Sequence, residues 1–303
     1  MSETSDDPWL HSPAPGPDPA RIDLIQPGLV LVATPIGNLG DFSARAVAAL
    51  RQADLVLCED TRTTARLLME YGIQARTSPL HDHNEEARVP ALLEALRRGE
   101  RIALVSDAGT PVVSDPGFRL VRAAVAAGLP VTAVPGPNAA VMALTLSGLP
   151  PAPFLFLGFP APRSAARRAE FGRLRAAEAA GLAATLIWHE APHRLAECLA
   201  DLAGAFGPRP AAVARELTKR FEEVRRGTLT DLAAHYATEA ARGEITLVVG
   251  PAEADTPDAE SLDAQLRRAL DGNSVKDAAA LVATATGLPR RVVYARALAL
   301  SSA

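Results

Sequence analysis

Two short clusters of polar residues carry side chains that could perform acid–base chemistry. The first is CEDTR at 58–62, where two carboxylates stand beside a guanidinium. Paired carboxylates can move a proton, and an arginine can bind a phosphate. A structural interpretation is also open, because Asp60 or Thr61 could cap the N-terminus of a helix that begins here. Glu59, Asp60 and Arg62 are therefore candidates for catalysis, with helix capping as the alternative.

The second cluster is HDHNE at 81–85, and it contains two histidines two positions apart. No third ligand stands at a spacing typical of a metal site, so we predict no bound metal. A further candidate is Lys219, since only Lys219 and Lys276 are lysines among the 31 lysines and arginines. An amine can lose its proton when it is desolvated and a guanidinium effectively cannot, although chance would also explain the lysine.

The hydrophobic pattern predicts the scaffold that positions these clusters. Nearly apolar strands alternate with helices, a pattern typical of parallel sheets covered on both faces. The alternation pauses at GLPPAP, 148–153, and then restarts. Strands are predicted at 29–33, 55–58, 75–79, 102–106, 131–134, 154–159, 184–190, 211–217, 222–229 and 244–250. Helices are predicted at 42–53, 63–72, 85–98, 117–127, 138–147, 163–179, 192–205 and 230–241.

The predicted fold class is α/β, with two α/β domains, a cleft between them, and a small C-terminal helical hairpin. The N-terminal domain is predicted at 28–148 and the second at 149–252, with a Pro-rich tail at 1–27 and a helical piece at 258–303. In the last piece Ser274 is predicted to cap a helix with Asp277 at its third position, Gly287 ends that helix, and Pro289 opens another.

Three loops of small residues follow predicted strands, namely TPIGNLGD, SDAGTP and PGPNAA. Ligands of parallel sheets bind beyond the carboxyl ends of the strands, where glycine allows the backbone to approach closely. One such loop would indicate only a turn, but three at successive strand ends favour a ligand site. GxxxxGK[ST] and GxGxxG do not occur, which argues against a P-loop ATPase and against a standard dinucleotide site.

Composition limits the remaining possibilities. The two cysteines, Cys58 and Cys198, lie far apart in apolar surroundings, which fits a reducing cytoplasm without disulfides. No apolar stretch is long enough to span a membrane, and the N-terminus has no apolar signal core. The net charge is -4, so any binding of nucleic acid must use local basic patches.

Eight ordered motifs together resemble a known family. They are VATPIGNLGDFSARAVAALRQADLVLCEDTR, HDHNE, ALVSDAGTPVVSDPG, PGPNAA, LTLSGLP, HEAPHRL, ARELTK and GEITLVVG. The chain from about Leu29 to Leu298 resembles the bacterial 16S ribosomal RNA (cytidine-2'-O)-methyltransferases of the tetrapyrrole methylase superfamily. The resemblance implies two α/β domains that bind S-adenosylmethionine in the cleft between them, commonly as a homodimer.

The resemblance also implies which residues form the site. Residues expected to bind the cofactor are Pro35, Ile36, Gly37, Ser106, Asp107, Ala108, Gly109, Thr110, Pro111, Asn138, Ala139, His189, Glu190, Leu217, Thr218, Gly243 and Glu244. Since a ribose hydroxyl is a poor nucleophile until its proton leaves, a base is expected. The candidates for catalysis are Glu59, Asp60, Arg62, His81, Asn84 and Lys219.

RNA contact is expected from two basic segments. Arg163, Arg167 and Arg168 share one face of a predicted helix, although such faces are often only solvated. Lys276, Arg290 and Arg291 lie in the C-terminal hairpin, which could alternatively only pack against the rest of the protein. The expected partner is 16S RNA within the 30S subunit.

Two other functions stay open as alternatives. A precorrin-type tetrapyrrole methyltransferase would share the fold, but it would need a broad apolar cleft. A non-catalytic RNA-binding or ribosome assembly protein would have no use for the pocket that SDAGTP and PGPNAA predict. Cytoplasmic methylation of 16S RNA is the function that the motifs favour.

Overall fold

The structure is a computed structural model that describes residues 26–252 and 259–301. Most of the predicted tail and the start of the predicted C-terminal piece lie outside the described residues. The strands are β1 (Gly28–Val32), β2 (Leu55–Cys58), β3 (Thr77–Pro79), β4 (Arg101–Val105), β5 (Val131–Val134), β6 (Phe154–Phe156), β7 (Thr185–Glu190), β8 (Pro210–Arg215), β9 (Glu223–Thr228) and β10 (Ile245–Val249). The helices are α1 (Ala44–Gln52), α2 (Thr61–Glu70), α3 (Glu85–Arg97), α4 (Phe118–Ala126), α5 (Ala139–Ser147), α6 (Ser164–Ala179), α7 (Leu195–Phe206), α8 (Leu229–Thr238), α9 (Ala259–Leu270), α10 (Val275–Thr286) and α11 (Arg290–Ser301).

The first sheet is parallel throughout, as the alternation of strands and helices predicts. Its strand order is β3-β2-β4-β1-β5, so β1 and β4 lie side by side at the centre. One face packs against α1 and α2, where Leu50 and Leu68 are buried. The other face packs against α3 and α4, where Leu96 and Leu120 are buried. The carboxyl ends of all five strands consequently meet at one edge, where the loops of small residues emerge.

The second sheet is mixed, which the apolar strands alone do not predict. Its order is β6-β7-β10-β8-β9. Only β6 and β7 pair in parallel, whereas β10 is antiparallel to both β7 and β8, and β8 is antiparallel to β9. Strands β8 and β9 are antiparallel because only the short loop 216–222 joins them. A parallel pair would need a longer crossover connection to bring the chain back to the same end of the sheet.

Helix α5 joins the two sheets into one packed body. It follows β5 of the first sheet, yet Ala143 and Leu144 are buried in the same apolar cluster as Ile187 of β7 and Ala212 of β8. Alanines on both sides of this contact let the helix approach the strands closely. Both sheets belong to one compact unit, which comprises the described residues up to Ala177 together with Ala184–Gly250. A domain boundary at 148/149 stays a prediction.

The second compact unit comprises Glu178–Ala183 and the chain from Pro251 onward. Its helices α9, α10 and α11 enclose a small core that includes Leu266, Val282 and Val293. The predicted cap is confirmed, since Ser274 Oγ accepts from Asp277 N at 3.2 Å and α10 ends at Gly287 with φ 68°. Within the described residues, no helix is long and apolar enough to cross a membrane.

The close packing of α5 against the second sheet predicts that a larger side chain at this contact lowers stability. Ala143 is fully buried there, so Ala143→Leu forces extra methylenes into a filled space and should cost about 1–3 kcal/mol in the free energy of unfolding. Urea denaturation of the purified variant measures this. Ala65→Leu, on the exposed face of α2, is the matched control and should change stability by less than about 0.5 kcal/mol. Equal losses in both variants would contradict the close packing.

Candidate active site

A cavity of about 400 Å³ opens where the loops of the two sheets meet. One wall comes from the loops after β1, β4 and β5, and the other from the ends of β7 and β8 and the start of β10. Its volume lies within the range of small-molecule sites. Its lining residues are Ile36, Ala108, Val113, Ser114, Asp115, Ala139, Phe159, His189, Glu190, Ala191, Pro192, Ala214, Leu217, Gly243, Glu244, Ile245 and Thr246.

The loop after β4 is held in a defined shape beside this cavity. Thr34 and Gly109 exchange backbone hydrogen bonds of 2.9 and 3.1 Å, which ties this loop to the loop after β1. Ser106 Oγ donates to the Asp115 carboxylate. Val112 has a φ of 74°, a conformation that costs a β-branched residue about 1–3 kcal/mol. Strain of this kind persists only where surrounding contacts enforce it, and here it borders the cavity.

Asn138 connects the loops after β4 and β5. Its Oδ1 accepts from Val141 N at 3.0 Å and so caps α5, while its Nδ2 donates to Thr110 Oγ1 at 3.3 Å. Thr110 Oγ1 in turn donates to Pro137 O at 3.1 Å. Asn138 and Thr110 therefore shape the wall from behind, whereas Ala108 and Ala139 line the cavity itself.

The second sheet contributes a neutral imidazole and a buried ion pair. Burial lowers the pKa of His189, so its ring is uncharged near neutral pH, and its Nδ1 lies 3.0 Å from Thr246 Oγ1. The rings of Phe156 and Phe159 pack against it. The buried Glu190 carboxylate pairs with Arg194 at 2.9 Å and accepts from Ala191 N at 2.7 Å. Glu190 therefore holds the turn after β7 in shape through Ala191 and Arg194. His189, which forms no ion pair within the described part of the chain, is the more accessible of the two polar side chains to a ligand in the cavity.

Lys219 crosses from the second half of the chain to the loop after β1. Its Nζ pairs with Glu216 Oε1 at 2.8 Å and Glu244 Oε2 at 3.1 Å. Burial lowers the pKa of Lys219, but these two carboxylates outweigh it and raise the pKa overall. The side chain is therefore a charged ammonium, contrary to the neutral amine considered from the sequence. Its stem covers Gly37, where an added Cβ would lie 2.3 Å from Lys219 Cγ.

Three carboxyl groups gather at the ends of β2 and β4. Burial raises the pKa of Asp107 and of Asp115. Glu59 is exposed as a residue, yet partial removal from water and the nearby charges of Asp107, Asp115 and Asp82 raise its pKa. Negative charges that crowd together favour protonation or a bound cation. This cluster can accept a proton, and it is unfavourable for a phosphate.

Asp60 caps the N-terminus of α2, which was the structural alternative to a catalytic role for this residue. Its Oδ1 accepts from Arg62 N at 2.8 Å, which caps α2, and its Oδ2 pairs with Arg62 Nη2 at 2.7 Å. Hydrogen bonds from Arg62 lower the pKa of Asp60 to about 2. A carboxylate so acidic is a poor proton acceptor near neutral pH. Asp60 and Arg62 are engaged with one another, which leaves Glu59 as the acid–base candidate of this trio.

His81 and Asn84 form a compact turn before α3. His81 N donates to Asn84 Oδ1 at 3.0 Å, and Asn84 Nδ2 lies 3.1 Å from His81 Nε2. With the amide as donor, His81 carries its proton on Nδ1, which is buried and has no hydrogen-bond partner among the described residues. Across that same part of the chain, no group of three or more His, Cys, Asp or Glu is arranged to hold a metal ion.

One predicted RNA contact is wrong in its placement. Arg167 is fully buried rather than exposed, because its guanidinium pairs with Asp201 across α6 and α7 at 2.5 Å. Arg163 and Arg168 are exposed on the same segment. In the second unit the predicted contacts Lys276, Arg290 and Arg291 are all exposed, as are Arg267, Arg268 and Arg296.

Sequence reasoning missed several residues that line the cavity. Asp115, Ser114 and Phe159 were not singled out, although Asp115 stands in the quoted motif ALVSDAGTPVVSDPG and could have been found there. Thr246 and Ala214 carry no signal of their own and are brought to the wall by the pairing of β10 with β8. Conversely, the predicted Pro35, Gly37, Ser106 and Asp107 line a neighbouring cavity instead.

Sequence similarity to known proteins extends over about nine-tenths of this chain. Proteins called Ribosomal RNA small subunit methyltransferase I are similar to it: that of Mesorhizobium japonicum is 46% identical over 91% of this chain and 93% of its own. That of Xylella fastidiosa (strain Temecula1) is 48% identical over 88% of this chain and 97% of its own. That of Pseudomonas aeruginosa is 44% identical over 89% and 96%.

Solved structures and family models agree on the fold. The methyltransferase CobJ matches with a TM-score of 0.55, at 19% identity, over 74% of this chain and 94% of its own. A diphthine synthase matches with 0.53 at 15% identity, over 73% and 90%. Residues 255–301 match the model of the RsmI C-terminal HTH domain.

Together with these relatives, the two-sheet fold and its cavity define a methyltransferase. Residues 28–233 match the family model of Tetrapyrrole (Corrin/Porphyrin) Methylases. The chain belongs to the tetrapyrrole methylase family.

The contact between Gly37 and Lys219 can be tested by a double-mutant cycle. Gly37→Ala places a Cβ against the lysine stem at a φ of 155°, so we expect a loss of about 1–3 kcal/mol in stability. Lys219→Ala in the same chain should recover part of that loss, which thermal unfolding measures. Gly172→Ala, on α6 with open space around it, is the control and should be neutral or stabilising.

Proposed function

We propose that this protein transfers a methyl group from S-adenosylmethionine to the ribose 2'-hydroxyl of a cytidine in 16S ribosomal RNA, in the decoding region of the small subunit. The observation that carries the proposal is the cavity between the two sheets, with the SDAGTP loop in its wall and carboxylates close to it. The names of the relatives, which the chain matches over about nine-tenths of its length, support a ribosomal RNA substrate.

The residues of the cavity fit this cofactor by their chemistry. When bound, S-adenosylmethionine supplies a methyl group on a positively charged sulfur, already activated for displacement. Ile36, Ala139 and Leu217 offer apolar surface for an adenosine, and Asp115 and Glu244 offer negative charge. Thr218 Oγ1 is buried without a partner among the described residues, in the loop that carries Leu217. Gly109, Thr110, Pro111 and Asn138 shape the wall behind these residues.

Removal of the hydroxyl proton is assigned to Glu59. Partial removal from water, together with the nearby carboxyl groups of Asp107 and Asp115, raises the pKa of Glu59, which makes it a better proton acceptor than an ordinary glutamate near neutral pH. Asn84 Nδ2 lies 3.1 Å from His81 Nε2 and so orients the imidazole near Glu59. Lys219 serves as an ammonium that holds the loops of the two halves together rather than as a base.

Binding of RNA is assigned to exposed arginines and lysines at the start of α6 and in the second unit. Arg163 and Arg168 extend from one end of α6, and Lys276, Arg290 and Arg291 from the second unit. Each phosphate contact releases counterions, so binding should weaken steeply with salt. The 30S subunit as substrate, a homodimeric state and a location in the cytoplasm complete the proposal.

The first experiment measures transfer of labelled methyl from S-adenosylmethionine. Purified 30S subunits lacking the modification, naked 16S RNA and a precorrin mixture are the three acceptors. Label in a 30S nucleotide that resists alkaline cleavage is the expected result. Label in the tetrapyrrole alone would overturn the substrate, and binding of RNA without transfer would favour a non-catalytic role. Light scattering of the same sample gives the oligomeric state.

The role of Glu59 makes a prediction about rate and pH. Glu59→Gln should lower kcat by about 100- to 10,000-fold while leaving the affinity for S-adenosylmethionine unchanged. Since a base works in its deprotonated form and this pKa is raised, wild-type activity should fall as the pH drops through a value above that of an ordinary glutamate. Glu86→Gln, on exposed α3, is the control. An unchanged acid limb in Glu59→Gln would exclude Glu59 as the base.

A further inference from the structure

A second cavity of about 320 Å³ lies on the opposite side of the loops that line the first. Pro35 and Gly37 line this second cavity, whereas Ile36 between them lines the first. Likewise Asp107 lines the second cavity and its neighbour Ala108 lines the first. Adjacent residues of the same two loops therefore serve different cavities. The two cavities consequently adjoin one another along these loops.

The second cavity has apolar walls on its open side. Leu39 is 44% exposed and Met69 of α2 is 76% exposed, so apolar side chains face solvent at the opening of this cavity. Half-buried Leu67 continues the same surface towards the interior. Flat aromatic rings bind to surfaces of this kind, because they bury area without needing many hydrogen bonds.

Polar groups stand at the floor and the rim of this cavity. One oxygen of Asp107 accepts from Asp60 N at 3.2 Å, and its other oxygen has no partner among the described residues. Arg66 lines the rim, is exposed, and forms no ion pair within the described ranges. The floor therefore offers a free hydrogen-bond acceptor in an acidic neighbourhood, and the lining also includes the cationic Arg66 and the anionic Glu70.

We propose that this second cavity binds the cytosine base of the acceptor nucleotide, turned out of the RNA, with Asp107 accepting from the exocyclic amino group and Arg66 contacting the adjoining phosphate. This inference rests on the proposed function. A carboxylate is a natural partner for the cytosine N4 amino group, and unpaired bases are typically read in this way. The acidic floor excludes phosphate, so the uncharged base enters and the backbone stays at the rim.

The placement also satisfies what methyl transfer requires. Donor and acceptor must approach within contact distance, and reactions that do so are strongly favoured by positioning alone. Because the two cavities are lined by neighbouring residues of the same loops, a ribose at the edge of the second cavity can reach a methyl group held at the edge of the first. Everting the base removes the ribose from the RNA helix and brings its 2'-hydroxyl to the junction, where Glu59 stands at the end of β2 beside Asp107.

Methionine labelling tests the binding directly. The chain has only three methionines: Met69 in the wall of the second cavity, Met142 on α5 outside both cavities, and Met1. With ¹³C-methyl methionine in the full-length protein saturated with S-adenosylhomocysteine, cytidine 5'-monophosphate should shift the Met69 signal saturably and leave Met142 unmoved. An affinity of about 1 mM is expected for so small a ligand. No change in the Met69 signal up to about 10 mM would overturn the proposal.

Base recognition is tested by comparing two nucleotides. Uridine 5'-monophosphate presents a carbonyl where cytidine has the amino group, so it should bind at least about fivefold more weakly. Asp107→Asn should abolish this preference, because an amide can donate to the carbonyl as well as accept. Equal binding of both nucleotides to the wild type, or an unchanged preference in Asp107→Asn, would contradict the role of Asp107.

Kinetics on 30S subunits separates this inference from the proposed function. Leu67→Trp fills the second cavity and should lower kcat/KM for the subunit at least about tenfold, with the affinity for S-adenosylmethionine within twofold of wild type. Val125→Trp, an equally bulky change on exposed α4, should leave both values unchanged. Full activity in Leu67→Trp would overturn the inference alone. If the wild type transfers no methyl, the proposed function fails, while the methionine signals still report whether the cavity binds a nucleotide.

Discussion

The packing of α5 against the second sheet is the contact on which the rest of the site depends. Ala143 and Leu144 share one apolar cluster with Ile187 and Ala212 of the second sheet. Arg226 of β9 adds hydrogen bonds to the Leu146 and Ser147 carbonyl oxygens at the end of α5. Because the loops of small residues emerge near this joint, the contact brings both sets of loops to a common cavity. Hydrophobic burial, a non-directional force, therefore sets the distance between groups that must act together.

The charges at the joint follow from what each surface must bind. Carboxyl groups gather around Asp107 and Asp115, where a cationic cofactor and an uncharged base would lie. Exposed basic residues, among them Arg66, Arg163 and Lys276, offer positive charge that can meet phosphate. A net charge of -4 is compatible with an RNA substrate under this division, because binding depends on local patches rather than on the total.

The loop 216–222 has a mechanical role that complements the apolar joint. Lys219 reaches Gly37 across the two halves and is fastened at its end by Glu216 and Glu244. The residues before it carry backbone strain, with Thr218 at a φ of 67°. An ion-paired lysine and a strained loop hold the cavity in one shape in advance, which reduces the ordering cost when a ligand binds.

Local sequence determined the elements of this protein, and tertiary contacts decided how they are used. Strand-like segments between helical patterns located each strand that the structure describes, although not its exact ends. Ser274 and Gly287 marked the ends of α10, because such signals act within a few residues. The motifs by themselves indicated the family. No local signal buries Arg167, protonates Lys219 between two carboxylates, or turns Asp107 and Ala108 towards different cavities. Those outcomes depend on partners distant in the chain, since desolvation and pairing are properties of the folded neighbourhood and not of the residue type.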